Sequence, residues 1–312
     1  MVKFYAPASI GNVGVGFDLL GAAIEPIDGT LLGDVVSVEL NKSGIEFEVT
    51  GPWKEKLPPD QTLNIVYKCV NYYLKKFGAR EEFGLKVTLE KNLPVGSGLG
   101  SSASSIVAAI SALNEFFEKP LNERQMLELM AEFEGQVSGS IHYDNVAPSF
   151  LGGIQLMLET PEKICDRIPV FKEWYWIVAF PGITLSTAKM RALLPETYFR
   201  RVLLNYGRNL GGFIHASHIQ DPVLAASLLK DVVAEPFRSS SIPNYEKTRK
   251  DLQALGCLAT GISGSGPTIF TITDSLATAD LAMVLLARDF FINENGFAKI
   301  CKISETGAKK LD

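Results

Sequence analysis

The stretch Pro94-Val-Gly-Ser-Gly-Leu-Gly-Ser-Ser-Ala-Ser104 constrains this chain more than any other segment. Gly96, Gly98 and Gly100 alternate, and Ser101, Ser102, Ser104 and Ser105 then lead into an alanine-rich apolar run. Upstream, Phe83 to Glu90 places Leu85, Val87 and Leu89 on one face and Lys86, Thr88 and Glu90 on the other, which predicts a strand. Downstream, Ser102 to Phe117 predicts a helix whose alanines allow close packing. Glycines free the backbone to turn its N–H groups inward. A helix starting behind them adds unpaired N–H groups and the positive end of its dipole. A strand, a glycine turn and a helix N-terminus in that order predict a phosphate site.

Three kinds of phosphate loop compete. A P-loop requires G-x-x-x-x-G-K-[ST], but Ser101 stands where the lysine belongs, and no other segment matches. A dinucleotide fingerprint requires G-x-G-x-x-G after a buried parallel strand. Gly96 and Gly98 fit, but Ser101 occupies the third place, and the alternation of 83–90 predicts a half-exposed antiparallel strand instead. The third kind is a glycine turn that lays its amides on a polyphosphate, with a following serine hydroxyl on Mg²⁺.

Composition narrows the partners. The 312 residues are 46% hydrophobic and 21% charged, as in ordinary globular chains, and the length suggests two domains. A net charge of −5 argues against nucleic acid as a partner. Cys69, Cys165, Cys257 and Cys301 lie far apart without metal spacing and are expected to be reduced core thiols. Met1-Val-Lys-Phe-Tyr-Ala-Pro has no targeting pattern, and no apolar run reaches the roughly 18 residues of a membrane span. The expectation is a cytoplasmic chain with no membrane partner.

Patterning predicts strands at 2–6, 35–40, 45–50, 83–90, 154–158, 174–180 and 297–303. The pair 35–40 and 45–50, flanking Ser43-Gly44, reads as a hairpin, as does the pair 257–261 and 268–273. Helices are expected at 63–77, from Asn122 to about Val137 behind an Asn122/Gln125 capping box, from Ser186-Thr187 to Leu194, and at about 197–218, 222–234, 244–255 and 275–291. Interleaved helices and hairpins suggest α+β layers. The prolines at 161 and 169 place a domain boundary near residue 160. His215 and His218 share a helix face, but without further ligands they read as surface polar residues.

The motif Pro94-x-x-x-Gly-Leu-Gly-Ser-Ser-Ala103 resembles the hallmark of the GHMP small-molecule kinases. Pro7-Ala-Ser-Ile-Gly-Asn12-Val-Gly-Val-Gly-Phe-Asp18 and Gly261-Ile-Ser-Gly-Ser-Gly-Pro-Thr268 resemble that family's first and third motifs, in the same order. Four further segments are similar to members that phosphorylate L-homoserine. They are Phe4 to Asp18, Glu134 to Pro148 followed by Gly152-Gly153, Pro181 to Arg191, and Glu235-Pro-Phe-Arg238.

The resemblance implies a two-domain GHMP-kinase fold. Residues 1–160 would form an N-terminal α/β ATP-binding domain with a mixed sheet, and 161–312 a C-terminal ferredoxin-like α+β domain. It implies ATP as co-substrate on Pro94, Val95, Gly96, Ser97, Gly98, Leu99, Gly100, Ser101, Ser102, Ala103 and Ser104, with the adenine near Asn64 and Val66. It implies Mg²⁺ on Ser102 and Glu134, and a homodimer, since relatives are often dimers. For the substrate it implies Arg191 and Arg238 on a carboxylate, where a guanidinium fork fits bidentately. Asp18 would then meet an ammonium group, with Asn12, His142 and Thr187 as neutral hydrogen-bonding partners. Asp144 and Asn145 both stand near the place of a catalytic base, and if Asn145 fills it, no general base is present. Two alternatives stay open: another GHMP kinase acting on mevalonate or a sugar, and a nucleotide-binding sensor without turnover.

Overall fold

A computed structural model describes residues 1–78 and 83–312. The chain opens with strands β1 (Val2–Pro7), β2 (Ser9–Gly11), β3 (Leu20–Pro26), β4 (Gly33–Asn41) and β5 (Ile45–Thr50). Helix α1 (Ile65–Phe77), capped by the Asn64 side chain on the Val66 N–H, precedes β6 (Gly84–Glu90). After the glycine stretch come α2 (Ser101–Phe116), α3 (Glu123–Ser138), α4 (Val146–Leu151), β7 (Ile154–Met157) and β8 (Cys165–Ile168). The capping box foreseen at Asn122 and Gln125 starts α3. The second half runs β9 (Tyr175–Phe180), α5 (Thr187–Ala192), α6 (Arg200–Ile219), α7 (Pro222–Leu228), α8 (Glu235–Arg238) and α9 (Tyr245–Ala254). It ends with β10 (Ala259–Ile262), β11 (Ile269–Thr273), α10 (Leu276–Asp289), β12 (Phe297–Ile303) and β13 (Lys309–Leu311).

Two sheets carry the molecule. The smaller is mixed, in the order β13-β1-β4-β6-β5. The larger is antiparallel and runs β10-β11-β9-β12-β3-β7-β8, with β2 paired to β3. Within it, β9, β10, β11 and β12, with their intervening helices, have the βαββαβ order of a ferredoxin-like unit. β3, β7 and β8 from the first half extend that sheet, and β13 returns to β1 in the other one.

Three expectations fail here, the first being that 83–90 is a half-exposed antiparallel strand: β6 is a central strand without an exposed residue and runs parallel to β5. The strands at 35–40 and 45–50 do not form a hairpin, because β6 lies between them, antiparallel to β4 and parallel to β5. The Ser43-Gly44 turn instead passes beneath the start of β6, where Leu85 N–H donates to Gly44 O at 2.9 Å. Gly84 leaves room for it, since a Cβ there would meet the Gly44 nitrogen at 2.6 Å. Helix α1 supplies the long crossover that a parallel pair needs. The helix expected over 222–234 stops at Leu228. The Asp231 carboxylate takes the N–H groups of Val233, Ala234 and Glu235 at 2.7, 2.8 and 2.9 Å, which diverts them from a helix and opens α8.

The core explains the placement of the glycine stretch. α2 is buried along almost its whole length, and Ala103, Ala108, Ala109 and Ala112 let it lie close against β1 and β4. Beneath its first turn sits a buried ion pair, Lys91 with Asp34, 1% and 0% exposed. Lys91 Nζ also donates to Ser101 O and Ser105 Oγ, both at 2.9 Å. Asp34 Oδ1 accepts the N–H groups of Asn92 and Leu93 at 2.8 and 3.0 Å. Every charge in this cluster is hydrogen-bonded, the condition under which a buried pair is tolerated. It ties the end of β6 to the start of α2 and so fixes both ends of the loop. No helix among the described residues is long and apolar enough to cross a membrane.

Candidate active site

Gly96, Gly98 and Gly100 all adopt positive φ, at 66°, 85° and 63°. Only glycine takes this conformation without steric cost. Gly98 has a second constraint: a Cβ there would stand 2.6 Å from the carbonyl oxygen of Ser263. The loop is thus shut against the turn between β10 and β11. Ser263 Oγ donates to Gly98 O at 2.7 Å, and Thr268 N–H donates to Ser97 O at 3.0 Å. Segments resembling the second and third motifs therefore meet although far apart in sequence.

The segment between β2 and β3 meets them from the other side. Asn12, Val13 and Asp18 all have positive φ, at 67°, 49° and 57°. Asn and Asp tolerate this region, but a β-branched valine there is strained by about 1–3 kcal/mol. Asn12 holds the segment together: its Oδ1 accepts the Asp18 N–H at 2.9 Å, and its Nδ2 donates to Gly264 O at 3.1 Å.

These segments enclose a cavity of about 480 Å³, within the range of small-molecule sites. The loop lines it through Val95, Gly96, Ser97, Gly98, Gly100, Ser101 and Ser102, whereas Pro94, Leu99, Ala103 and Ser104 do not reach its surface. Leu99 is wholly buried, and Ser104 Oγ bridges Ala6 O and the Asp34 N–H. Asn12, Asp18, His142, Asp144, Asn145, Thr187, Arg191 and Arg238 all face the same cavity, as does Glu134. Asn64 lines it and Val66, on the buried face of α1, does not.

Charge is unevenly placed around this space. Arg191 grips Asp18 through two bonds, Nη1 to Oδ2 at 3.0 Å and Nη2 to Oδ1 at 2.9 Å. Arg238 is 3% exposed and makes no ion pair among the described residues. It donates to Met190 O at 3.3 Å and Gly264 O at 3.0 Å, and burial pulls its guanidinium below the usual range. Both guanidiniums lie over the Phe17 ring, 5.8 and 5.4 Å from its centroid. The carboxylates of Asp231, Asp18 and Asp144 offset part of the Arg238 burial from a distance, but none among the described residues pairs with its guanidinium, and such a group beside a cavity favours an anionic ligand.

Elsewhere on the lining, Ser102 Oγ donates to Glu134 Oε1 at 2.8 Å, while Glu134 Oε2 is buried without a partner among the described residues. Burial raises the Glu134 carboxyl to about 7, against the opposing effect of the Ser102 hydroxyl and the His142 ring. His142 Nδ1 lies 3.1 Å from Asp144 Oδ1. Burial pulls this imidazole down, but the carboxylates of Asp144, Glu134 and Asp18 outweigh it and hold it above its ordinary value. Thr187 Oγ1 stands 3.3 Å from Ser265 Oγ. His215 and His218 are exposed on α6, away from the cavity.

Several groups that line the cavity or brace its wall were not singled out from the sequence. Lys91 and Asp34 carry no local signal, because their pairing is made across the sheet. Phe17 lies inside a motif already marked, and its proximity to an acid was the available clue. Lys56, Leu57 and Pro58, between β5 and α1, form a further wall.

Comparison with known proteins places the fold. Residues 64–153 match the family model for the GHMP kinases N terminal domain, and residues 213–287 that for GHMP kinases C terminal. A homoserine kinase from Cytophaga hutchinsonii is 31% identical, with 99% of this chain and 97% of that chain covered and a TM-score of 0.89. A Listeria monocytogenes chain provisionally named a homoserine kinase superposes at TM-score 0.75 with 20% identity, covering 100% of both chains. L. major mevalonate kinase, solved with R-mevalonate, superposes at 0.71 with 19% identity, covering 96% of this chain and 95% of its own. The chain belongs to the GHMP kinases, a family of ATP-dependent phosphotransferases, and has their two-domain α+β fold. Kinases of this family use ATP as co-substrate.

Proposed function

We propose that this kinase transfers the γ-phosphoryl group of ATP to the hydroxyl of L-homoserine, giving O-phospho-L-homoserine and ADP. The observation that carries this reading is Arg238, a buried guanidinium without an ion-pair partner among the described residues, on the cavity that also holds the glycine loop. Arg191 and Asp18 stand beside it as a plus–minus pair. A sugar offers no charge to such a wall, and mevalonate offers a carboxylate but no ammonium. An amino-acid alcohol offers both: its carboxylate suits Arg238 and Arg191, and its ammonium suits Asp18. The 31% identity to a homoserine kinase supports the same choice.

The glycine loop and the first turn of α2 would receive the polyphosphate on backbone N–H groups. Ser102 and Glu134 would hold Mg²⁺, and the orphaned Oε2 of Glu134 fits that use, as an oxygen donor without a competing partner. A bound Mg²⁺ would neutralise charge on the phosphate oxygens. The chain's own residues then position the acceptor. Asn12, His142 and Thr187 orient its backbone and hydroxyl, and Asn145 stands beside the loop as a neutral amide. An amide takes no proton at neutral pH, so if Asn145 fills the base's place rather than the Asp144 carboxylate, which also faces the cavity, transfer rests on alignment and charge neutralisation, as phosphoryl transfer allows. The test is ADP release with L-homoserine, R-mevalonate and galactose as acceptors. Turnover of homoserine well above the others is expected. Preference for another alcohol would overturn the substrate, and ATP binding without turnover of any would favour a nucleotide sensor.

A further inference from the structure

Ser9 lies outside the cavity lining and is wholly buried, yet it touches two parts of the site. Its N–H donates to Leu99 O in the glycine loop at 3.1 Å, and its Oγ donates to Asn145 Oδ1 at 2.9 Å. The space it uses exists because two neighbours have no side chain. A Cβ on Gly100 would collide with Ser9 Oγ and come within 3.0 Å of Asn145 Oδ1. A Cβ on Gly11 would lie 3.0 Å from Asn145 Nδ2 and 2.8 Å from Asp144 Oδ2.

A carboxamide has an acceptor end and a donor end. With Oδ1 of Asn145 engaged by the Ser9 hydroxyl, the end that remains is the Nδ2 donor. Asn145 is only partly buried and lines the cavity between Gly100 and His142. The Ser9 bond thus decides which end of the amide the cavity sees. A carbonyl end there would repel a phosphate oxygen, whereas an amide N–H₂ attracts it.

We propose that Ser9 is a positioning residue for phosphoryl transfer, which fixes the Asn145 amide with Nδ2 directed at the oxygens of the transferring group. This rests on the kinase reading above and on Asn145 facing the reacting atoms. Loss of the Ser9 hydroxyl frees the amide to turn over or swing, so the cost falls on the chemical step rather than on binding. Loss of one preorganised donor costs on the order of 10²–10³ in kcat, and loosening it costs less, about tenfold.

The experiment is a double-mutant cycle of Ser9→Ala and Asn145→Ala, with kcat and both KM values measured for ATP and L-homoserine, and thermal unfolding recorded for each variant. Ser9→Ala is expected to lower kcat about tenfold with both KM values within about twofold, and to have no further effect once Asn145 is alanine. An equal loss in both backgrounds would assign Ser9 to packing alone and overturn the proposal. So would an unchanged kcat in Ser9→Ala beside a damaged Asn145→Ala. Full activity of Asn145→Ala would instead remove the role of Asn145 on which the proposal stands.

Discussion

The two walls of the cavity are built in different ways. The loop wall is backbone: Gly96, Gly98 and Gly100 at positive φ, with the first turn of α2 behind them. The acceptor wall is side chain: Asp18 after β2, His142 before α4, Arg191 on α5 and Arg238 on α8. A backbone wall offers N–H groups to any polyphosphate and is common to many chemistries. A wall of side chains drawn from four places in the chain can be re-dressed one residue at a time. In the function proposed above, the first kind of wall serves the nucleotide and the second chooses the acceptor.

That contrast breaks first at Gly98. Valine there would need φ near 85° and would drive its Cβ into the Ser263 carbonyl. Gly98→Val is expected to abolish both ATP binding and turnover, a loss of at least about 10³-fold, read by calorimetric titration with an ATP analogue. Near-normal ATP affinity would show that the loop is not the polyphosphate wall. The opposite wall should fail differently. Arg238→Ala removes a charge-assisted partner of the proposed carboxylate, worth about 3–4 kcal/mol or roughly 10²- to 10³-fold in kcat/KM for homoserine. The KM for ATP should stay within about threefold. Parallel losses for both substrates would erase the distinction between the walls.

The Glu134 site sharpens the boundary between them. Glu134→Gln keeps the bond length and removes the charge facing Ser102. The Mg²⁺ concentration for half-maximal activity is expected to rise tenfold or more, and an unchanged Mg²⁺ dependence would remove Glu134 from the metal. The smallest effect falls on stability. Burial raises the Glu235 carboxyl, at the start of α8, to about 7, against the pull of Tyr245 and Arg249. The folded state therefore holds this proton more tightly than the unfolded chain. The resulting stabilisation is full below about pH 4.5 and is lost as pH rises through 7, at most about 3 kcal/mol. Urea unfolding at pH 5 and pH 8 should show the wild type losing stability over this range that Glu235→Gln retains. Equal pH dependence in the two proteins would contradict it.

The same contrast explains what the sequence made legible. Local conformational demands are written locally: the glycines at 96, 98 and 100, the Asn122 capping box and the Ser186 cap all read correctly from neighbours alone. Strand partnership is not local, so β6 entering between β4 and β5 was missed, although each strand was found. β3 was missed altogether, because Leu-Gly-Ala-Ala-Ile lacks alternation where the strand is buried on both faces. Asp231 cut a helical pattern short by capturing three N–H groups, a competition invisible in periodicity. The acceptor residues Asp18, Arg191 and Arg238 were named through resemblance, since no spacing within the chain brings them together. Lys91 and Asp34, which brace the loop, had neither signal.

The central claim is that the acceptor wall reads both charges of an amino-acid alcohol. Its most direct test compares kcat/KM for L-homoserine with that for 3-amino-1-propanol, the same alcohol without its carboxylate, in wild type and in Arg238→Ala. If Arg238 meets the carboxylate, the wild type prefers homoserine by at least about a hundredfold, and Arg238→Ala collapses that preference while leaving the slow turnover of the amino alcohol unchanged. If Arg238→Ala lowers both to the same degree and the preference persists, the buried guanidinium serves the fold and the acceptor is read elsewhere.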